Sequence, residues 1–183
     1  MARALVREAG GQVAKVIVKR GKANLDPLIK NYNRAATRAP YLVLRDSDTK
    51  CPMELHKTLT RDIESLSALF QLRVVHPMTE AWLLADADGF AQYFGVVKSN
   101  IPSDPEALKH PKATLLSLCS SSKKKDIREE VVRNDGKAGP LYVDHVNEFA
   151  LLHWNVSAAS SRSDSLLRAY NRVRELNARA LGD

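Results

Sequence analysis

The chain has 183 residues, of which 44% are hydrophobic and 27% charged; this composition argues against a wholly disordered protein and fits a single globular domain. Lysine and arginine exceed aspartate and glutamate by 28 − 21 = 7, an excess that suits a polyanionic partner such as nucleic acid but does not require one. Two distant cysteines argue against a disulfide framework or a zinc site, and no apolar run is long enough to span a membrane, so we expect a cytoplasmic protein.

The sequence pattern predicts a helix followed by a strand in the first part of the chain. MARALVREA consists of helix formers and stops at Gly10. VAKVIVK, residues 13–19, alternates and is rich in β-branched side chains, which predicts a strand. Asp26 and Pro27 then predict the start of a helix that ends before Pro40.

Two further strands are predicted after this helix. YLVLR, residues 41–45, is a short apolar run typical of a buried parallel strand, and Pro52 opens the helix that follows it. FQLRVVHP, residues 70–77, is the third strand, and the segment after it is helical with a break between Asp86 and Gly89. Strands and helices therefore alternate, which predicts an α/β fold with a parallel sheet and right-handed crossovers.

The second half of the chain has a different character. From Ser99 onward the sequence is a proline-rich loop followed by helical segments, and the last helix is predicted to begin near Ser163 or Asp164. We therefore expect an α/β core over residues 1–98. Residues 99–183 are expected to form a C-terminal helical cap packed on that core, within one compact unit.

Two aspartates follow the second predicted strand in the stretch YLVLRDSDTKCP. Loops at the carboxyl ends of parallel strands line the binding crevice of an open sheet. Asp46 and Asp48 would repel each other there unless a cation or hydrogen-bond donors neutralised them. Asp46 is the candidate direct ligand of Mg²⁺ or Mn²⁺, and Asp48 would reach the ion directly or through water. The pattern is equally compatible with one aspartate capping the next helix and the other being solvated.

Other charged residues are predicted at the same edge. Glu80 falls in the first turn of the helix after the third strand, and Lys112 opens a later helix where it could reach a phosphate. Glu80 also fits a first-turn glutamate favoured by the helix dipole, and Lys112 also fits a solvated lysine near a helix start. Basic residues at the strand ends would suit a nucleic-acid backbone; they are Lys19, Arg20, Lys22 and Arg45.

Two longer motifs carry a family resemblance. HPMTEAWLLAD, residues 76–86, and PEALKHPKATL, residues 105–115, resemble an uncharacterised bacterial TOPRIM-like family, a domain of unknown function. TOPRIM is the metal-binding module of topoisomerases, primases and OLD-type nucleases. The resemblance covers nearly the whole chain and implies a TOPRIM-like, Rossmann-like sheet. It also implies that Asp46 and Asp48 are the DxD pair and that Glu80 is an additional metal-binding carboxylate.

A TOPRIM site also has a glutamate at the end of its first strand, and this sequence contains no such segment before its first helix. Two explanations stay open: the natural product starts further upstream, or this copy has lost catalysis and keeps a binding role. We expect the first, because removing a strand from a small parallel sheet exposes an unpaired edge. Without that glutamate we expect weak or absent activity.

The resemblance implies two functions. The first is Mg²⁺-dependent phosphoryl transfer as a nuclease, in phage defence, with Asp46, Asp48, Glu80 and Lys112 as the catalytic residues. The second is a catalytically inactive binding subunit that acts with an ATPase partner. A metal-dependent cleavage assay separates the two.

Overall fold

The computed structural model describes residues 1–48 and 50–182. Over those residues the fold is α/β and mostly helical, with ten α-helices and a two-stranded parallel sheet. The elements in chain order are α1 (Ala2–Glu8), α2 (Lys22–Leu25), α3 (Ile29–Ala35), β1 (Tyr41–Asp46), α4 (Pro52–Thr60), β2 (Phe70–Val75), α5 (Thr79–Ala85), α6 (Ala87–Phe94), α7 (Pro111–Ser120), α8 (Tyr142–Glu148), α9 (Val156–Ser160) and α10 (Asp164–Leu181). Short 3₁₀ and π segments connect several of them.

The sheet consists of the second and third predicted strands. β1 pairs with β2 in parallel, with Tyr41 opposite Phe70 and Asp46 opposite Val75. Helix α4 makes the crossover between them and begins at Pro52, as predicted. The predicted α/β class with a parallel sheet is therefore confirmed, and the carboxyl ends of both strands lie at one rim.

The strand predicted over residues 13–19 is wrong. This segment is irregular and solvent-exposed, and the exposed fraction reaches 77% at Val18. Strand propensity describes how well side chains fit a pleated, half-buried surface, and it is realised only where a neighbouring strand completes the ladder. Among the described residues this segment has no such neighbour.

The predicted break between the helices after β2 is confirmed. α5 ends at Ala85, and Asp86 caps α6 because its Oδ1 accepts a hydrogen bond from the backbone N–H of Gly89 at 3.0 Å. The Oδ2 atom of Asp86 accepts a second bond, from the N–H of Asn155 at 2.8 Å. A Cβ atom on residue 89 would collide with this carboxylate, so a larger residue there would push it away from its two hydrogen-bond donors.

The largest hydrophobic cluster draws on both halves of the chain. Trp82 of α5 is fully buried, and its indole N–H donates to the hydroxyl of Ser165 at 2.7 Å. The indole of Trp154 donates in turn to the Trp82 carbonyl at 3.1 Å. α10 begins at Asp164 with Ser163 as its cap, as predicted. A smaller cluster lies between α3 and the sheet; its buried members are Ile29, Ala36, Val43, Phe70 and Leu72.

None of the helices in the described part of the chain has the length and apolarity needed to cross a lipid bilayer.

The double role of Asp86 leads to a stability prediction. Replacing Asp86 with alanine removes the α6 cap and leaves the N–H of Asn155 without its carboxylate, and Asp86 itself is only 2% exposed. We expect Asp86→Ala to lower the free energy of unfolding by about 2 kcal/mol. At this chain length, that corresponds to a drop in Tm of roughly 4–8 °C, measurable by circular dichroism.

Asp88 provides the matched control. It lies two residues further on, is exposed, and pairs with Lys98 at 2.6 Å on the surface. Asp88→Ala should change the free energy of unfolding by less than about 1 kcal/mol, since exposed ion pairs contribute little. Equal effects of the two substitutions would show that Asp86 has no special role.

Candidate metal centre

Asp46 ends β1 and faces the start of α5. Its Oδ1 accepts a hydrogen bond from the backbone N–H of Thr79 at 3.0 Å. Burial, followed by the nearby negative charge of Glu80, raises the pKa of Asp46 from 3.8 to about 6, although the bond from Thr79 acts in the opposite direction. Two partly buried carboxylates therefore stand close together at the rim.

Glu80 is held by side chains from other parts of the chain. Its Oε1 accepts a hydrogen bond from the hydroxyl of Tyr142 at 2.9 Å, and its Oε2 accepts one from the hydroxyl of Thr79 at 3.4 Å. Burial and the charge of Glu80 raise the pKa of Tyr142, so this hydroxyl remains a hydrogen-bond donor. The ammonium of Lys112 lies 4.6 Å from the centre of the Tyr142 ring. The structure thus brings Asp46, Glu80 and Lys112 to one region.

Asp48 has a different environment. Its carboxylate pairs with Lys22 Nζ at 3.1 Å and with Arg45 Nη1 at 3.3 Å. Partial burial alone would raise the pKa of Asp48, but the hydrogen bonds and charges of Lys22 and Arg45 outweigh it and lower that pKa. Asp48 is therefore already neutralised by two protein cations.

Two of the four basic residues predicted to contact nucleic acid, Lys22 and Arg45, form ion pairs with Asp48. Arg45 is only 6% exposed, and its Nε donates to Asp26 at 2.9 Å. A phosphate could reach the Arg45 guanidinium only by displacing these carboxylates. Lys19 and Arg20 lie in the loop before α2.

The loop that carries the aspartates is tied to the end of β2. The backbone N–H of Ser47 donates to the Val75 carbonyl at 2.7 Å, and that of Asp48 donates to the Pro77 carbonyl at 3.0 Å. The hydroxyl of Ser47 also lies 2.9 Å from Nδ1 of His76. His76 therefore has a structural contact here, which holds the loop in place beside the metal-site candidates.

The donor groups suit a hydrated divalent cation better than a site built entirely from protein ligands. Among the described residues, no three histidine, cysteine, aspartate or glutamate side chains form a metal-ligating group. Mg²⁺ is commonly bound by one or two carboxylates and keeps several water molecules. Asp46 and Glu80 match that pattern, whereas Asp48 would have to leave Lys22 and Arg45 to become a direct ligand.

Comparison of the chain with known protein families, curated proteins and solved structures found no match. The site is therefore defined by the contacts of its own residues.

Sequence reasoning missed three residues that shape the site. Tyr142 is 62 positions from Glu80, and no local pattern connects the two. Thr79 acts through its backbone N–H, which no side-chain motif reveals. Asp26 was expected to cap a helix, but it lies at the first position of a 3₁₀ turn and pairs with Arg45. Only the sequence Asp-Pro, which marks a helix start, pointed to Asp26 at all.

The raised pKa of Asp46 predicts a pH dependence of stability. The folded protein binds this proton more tightly than the unfolded chain, so the stabilisation is complete below pH 3.8 and is lost as the pH rises through about 6. Asp46→Asn cannot ionise and keeps an oxygen for Thr79. Between about pH 4.5 and pH 8, the free energy of unfolding of Asp46→Asn should rise relative to that of wild type by up to about 3 kcal/mol. Urea unfolding with a metal chelator present measures this difference.

Asp48→Asn is the control within the same motif, because the pKa of Asp48 is lowered rather than raised. The stabilisation from Asp48 is present above its ordinary pKa and is lost as the pH falls. Asp48→Asn should therefore lose stability relative to wild type near pH 8. If both substitutions shifted stability in the same direction, the opposite environments described here would be incorrect.

Proposed function

We propose that this protein binds a divalent cation, Mg²⁺ or Mn²⁺, at Asp46 and Glu80 and uses it for phosphoryl transfer on nucleic acid as a nuclease. One observation carries the proposal: a partly buried carboxylate with a raised pKa lies beside a second carboxylate at the rim of a parallel sheet. Holding two like charges together in a partly desolvated place is unfavourable, and a cation would relieve that cost. The rim is also where open parallel sheets bind ligands.

The chain's own residues would prepare this site. Tyr142 and Thr79 orient the Glu80 carboxylate, and the N–H of Thr79 orients Asp46. On this proposal, Lys112, beside the Tyr142 ring, would hold a negatively charged phosphate oxygen near these carboxylates. A bound divalent cation would supply Lewis-acid polarisation of the phosphate and a water molecule of lowered pKa.

The TOPRIM-like identity of the fold belongs to the same proposal. It is supported by the two motifs at residues 76–86 and 105–115 and by the parallel strands that precede the DxD pair and α5. On this proposal, the helices of residues 99–183 form a cap, and that part of the chain contributes Lys112 and Tyr142 to the rim. A cytoplasmic location and a role in phage defence are further parts of the proposal, and the unpaired state of Cys51 and Cys119 fits a reducing compartment.

A second function is favoured by one specific observation. Asp48, the second aspartate of the motif, is neutralised by Lys22 and Arg45. A TOPRIM-like subunit that binds a partner ATPase, with no catalysis of its own, would tolerate this loss of a metal ligand. The two functions differ in whether the Asp46 site binds a cation and cleaves nucleic acid.

Metal binding is the first test. Titration calorimetry should show Mg²⁺ or Mn²⁺ uptake by wild type, and Asp46→Asn and Glu80→Gln should each weaken it at least tenfold because each removes one of two charged ligands. Since Asp46 must lose its proton to bind the ion, affinity should rise with pH through about 6. Asp62→Asn, an exposed aspartate paired with Arg61, is the matched control and should bind as wild type does.

Cleavage of labelled DNA and RNA is the second test. On the nuclease proposal, cleavage requires Mg²⁺ or Mn²⁺ and is lost in Asp46→Asn but retained in Asp62→Asn. Cation uptake without cleavage would favour the binding subunit. No uptake by the wild-type protein at any pH between about 6 and 8 would refute the metal site itself.

A further inference from the structure

One face of α10 carries three arginines and a single glutamate. Arg168, Arg172, Glu175 and Arg179 follow one another at spacings of four, three and four residues. At 100° per residue they fall within an arc of roughly 60°, so they form one row along the helix. We call Arg168, Arg172 and Arg179, together with Arg73 of β2, the arginine stripe.

The row lies along β2. Near the start of α10, the hydroxyl of Ser165 donates to the carbonyl of His76, just beyond the carboxyl end of β2, at 3.4 Å. Near the end of α10, Arg179 Nη1 donates to the carbonyl of Ala68, just before β2, at 3.4 Å. α10 therefore runs antiparallel to β2, and Arg73 stands in the middle of the strand beside the row.

Arg73 lacks a partner for part of its side chain. Its Nε is buried and has no hydrogen-bond acceptor among the described residues. Burial, followed by the positive charges of Arg172 and Arg168, lowers the pKa of Arg73. A buried guanidinium nitrogen without a hydrogen-bond acceptor is unfavourable. An anion bound beside Arg73 would offset the positive charge and supply an acceptor.

Among the described residues of this face of α10, arginines outnumber carboxylates. Glu175 pairs with Arg172 Nη1 at 2.7 Å and with Arg179 Nη2 at 3.6 Å. Four arginines against Glu175 and Asp164, which lies one turn before Arg168 on the same face, leave an excess of 4 − 2 = 2 positive charges. The three arginines of α10 are exposed, so this excess faces solvent.

We propose that the arginine stripe binds phosphate groups, either successive phosphates of a nucleic-acid strand or free phosphate. The planar guanidinium fork matches two phosphate oxygens, and every cation of the stripe is an arginine. From Arg168 to Arg179 the helix rises about 16 Å, which is long enough to meet more than one phosphate of a strand but far exceeds the size of a single phosphate ion. The length of the row favours the strand.

This surface is separate from the residues of the metal proposal. The stripe contains neither Asp46 nor Glu80, and binding to it needs no metal. The Arg168 end lies near the carboxyl end of β2, at the rim that carries Asp46. Experiments in a metal chelator therefore test the stripe alone.

The test is fluorescence anisotropy with a labelled single-stranded oligonucleotide over a range of salt concentrations, in the presence of chelator. Arg168→Ala and Arg172→Ala should each weaken binding roughly fivefold at about 0.1 M salt and reduce the slope of log K against log salt by roughly 0.7. Glu175→Gln should strengthen binding, because it removes the competing carboxylate.

Arg174→Ala is the matched control. Arg174 lies about 200° around α10 from Arg172 and contacts the Tyr170 ring. Arg174→Ala removes one positive charge from the same helix but should change the affinity for the oligonucleotide less than twofold. Melting curves confirm that each variant folds, and Arg73, being half-buried, is left intact.

The outcomes decide whether the stripe binds phosphate groups and whether these belong to a nucleic-acid strand or to free phosphate. Oligonucleotide binding with the expected pattern supports the strand. If oligonucleotide binding is absent but inorganic phosphate raises the Tm of wild type and Arg174→Ala, and not of Arg168→Ala or Arg172→Ala, the free ion is the ligand. Equal weakening by all three arginine substitutions, or no binding of either probe, overturns the proposal.

Discussion

The burial of α5 is the constraint on which the candidate site depends. Residues 81–85 of this seven-residue helix are all at most 1% exposed, so the helix is enclosed on every side. Such a close-packed helix cannot shift to relieve unfavourable contacts at its first turn. Thr79 and Glu80 are therefore held against Asp46 by packing around Trp82 and its neighbours. The apolar core supplies the free energy that keeps two carboxylates together.

Local patterns predicted the elements that local interactions determine. β1, β2, the break at Asp86 and the start of α10 each have a short sequence signal, an apolar run or a cap. The rule that parallel strands end at one rim then correctly placed Asp46 close to the turn that carries Glu80. The segment 13–19 was misjudged because a strand needs a partner, and pattern alone does not reveal whether one exists. The Glu80–Tyr142 contact depends on how distant helices pack, which no local signal encodes.

The DxD motif also shows that a local sequence signal does not reveal contacts with distant residues. Asp46 and Asp48 look equivalent in the sequence, yet the pKa of the first is raised and that of the second lowered. Burial and Glu80 raise the pKa of Asp46, whereas Lys22, 26 positions from Asp48, and Arg45 lower the pKa of Asp48. A motif fixes the spacing of its carboxylates but not their counter-charges, and the counter-charges decide which carboxylate is available to a cation.

Ion pairs within the protein also decide which of its positive charges are available to a phosphate. The sequence placed the nucleic-acid contacts in the loops near the DxD motif, but there Lys22 and Arg45 are matched by Asp48 and Asp26. An ion pair already formed must be broken before a phosphate can use its cation, which offsets most of the gain. On α10, Arg172 and Arg179 share the single carboxylate of Glu175, so a phosphate that uses both arginines displaces one carboxylate rather than two. Because binding favours cations whose carboxylate partners are few, the proposed phosphate contacts of the arginine stripe fit α10 better than the loops near the DxD motif.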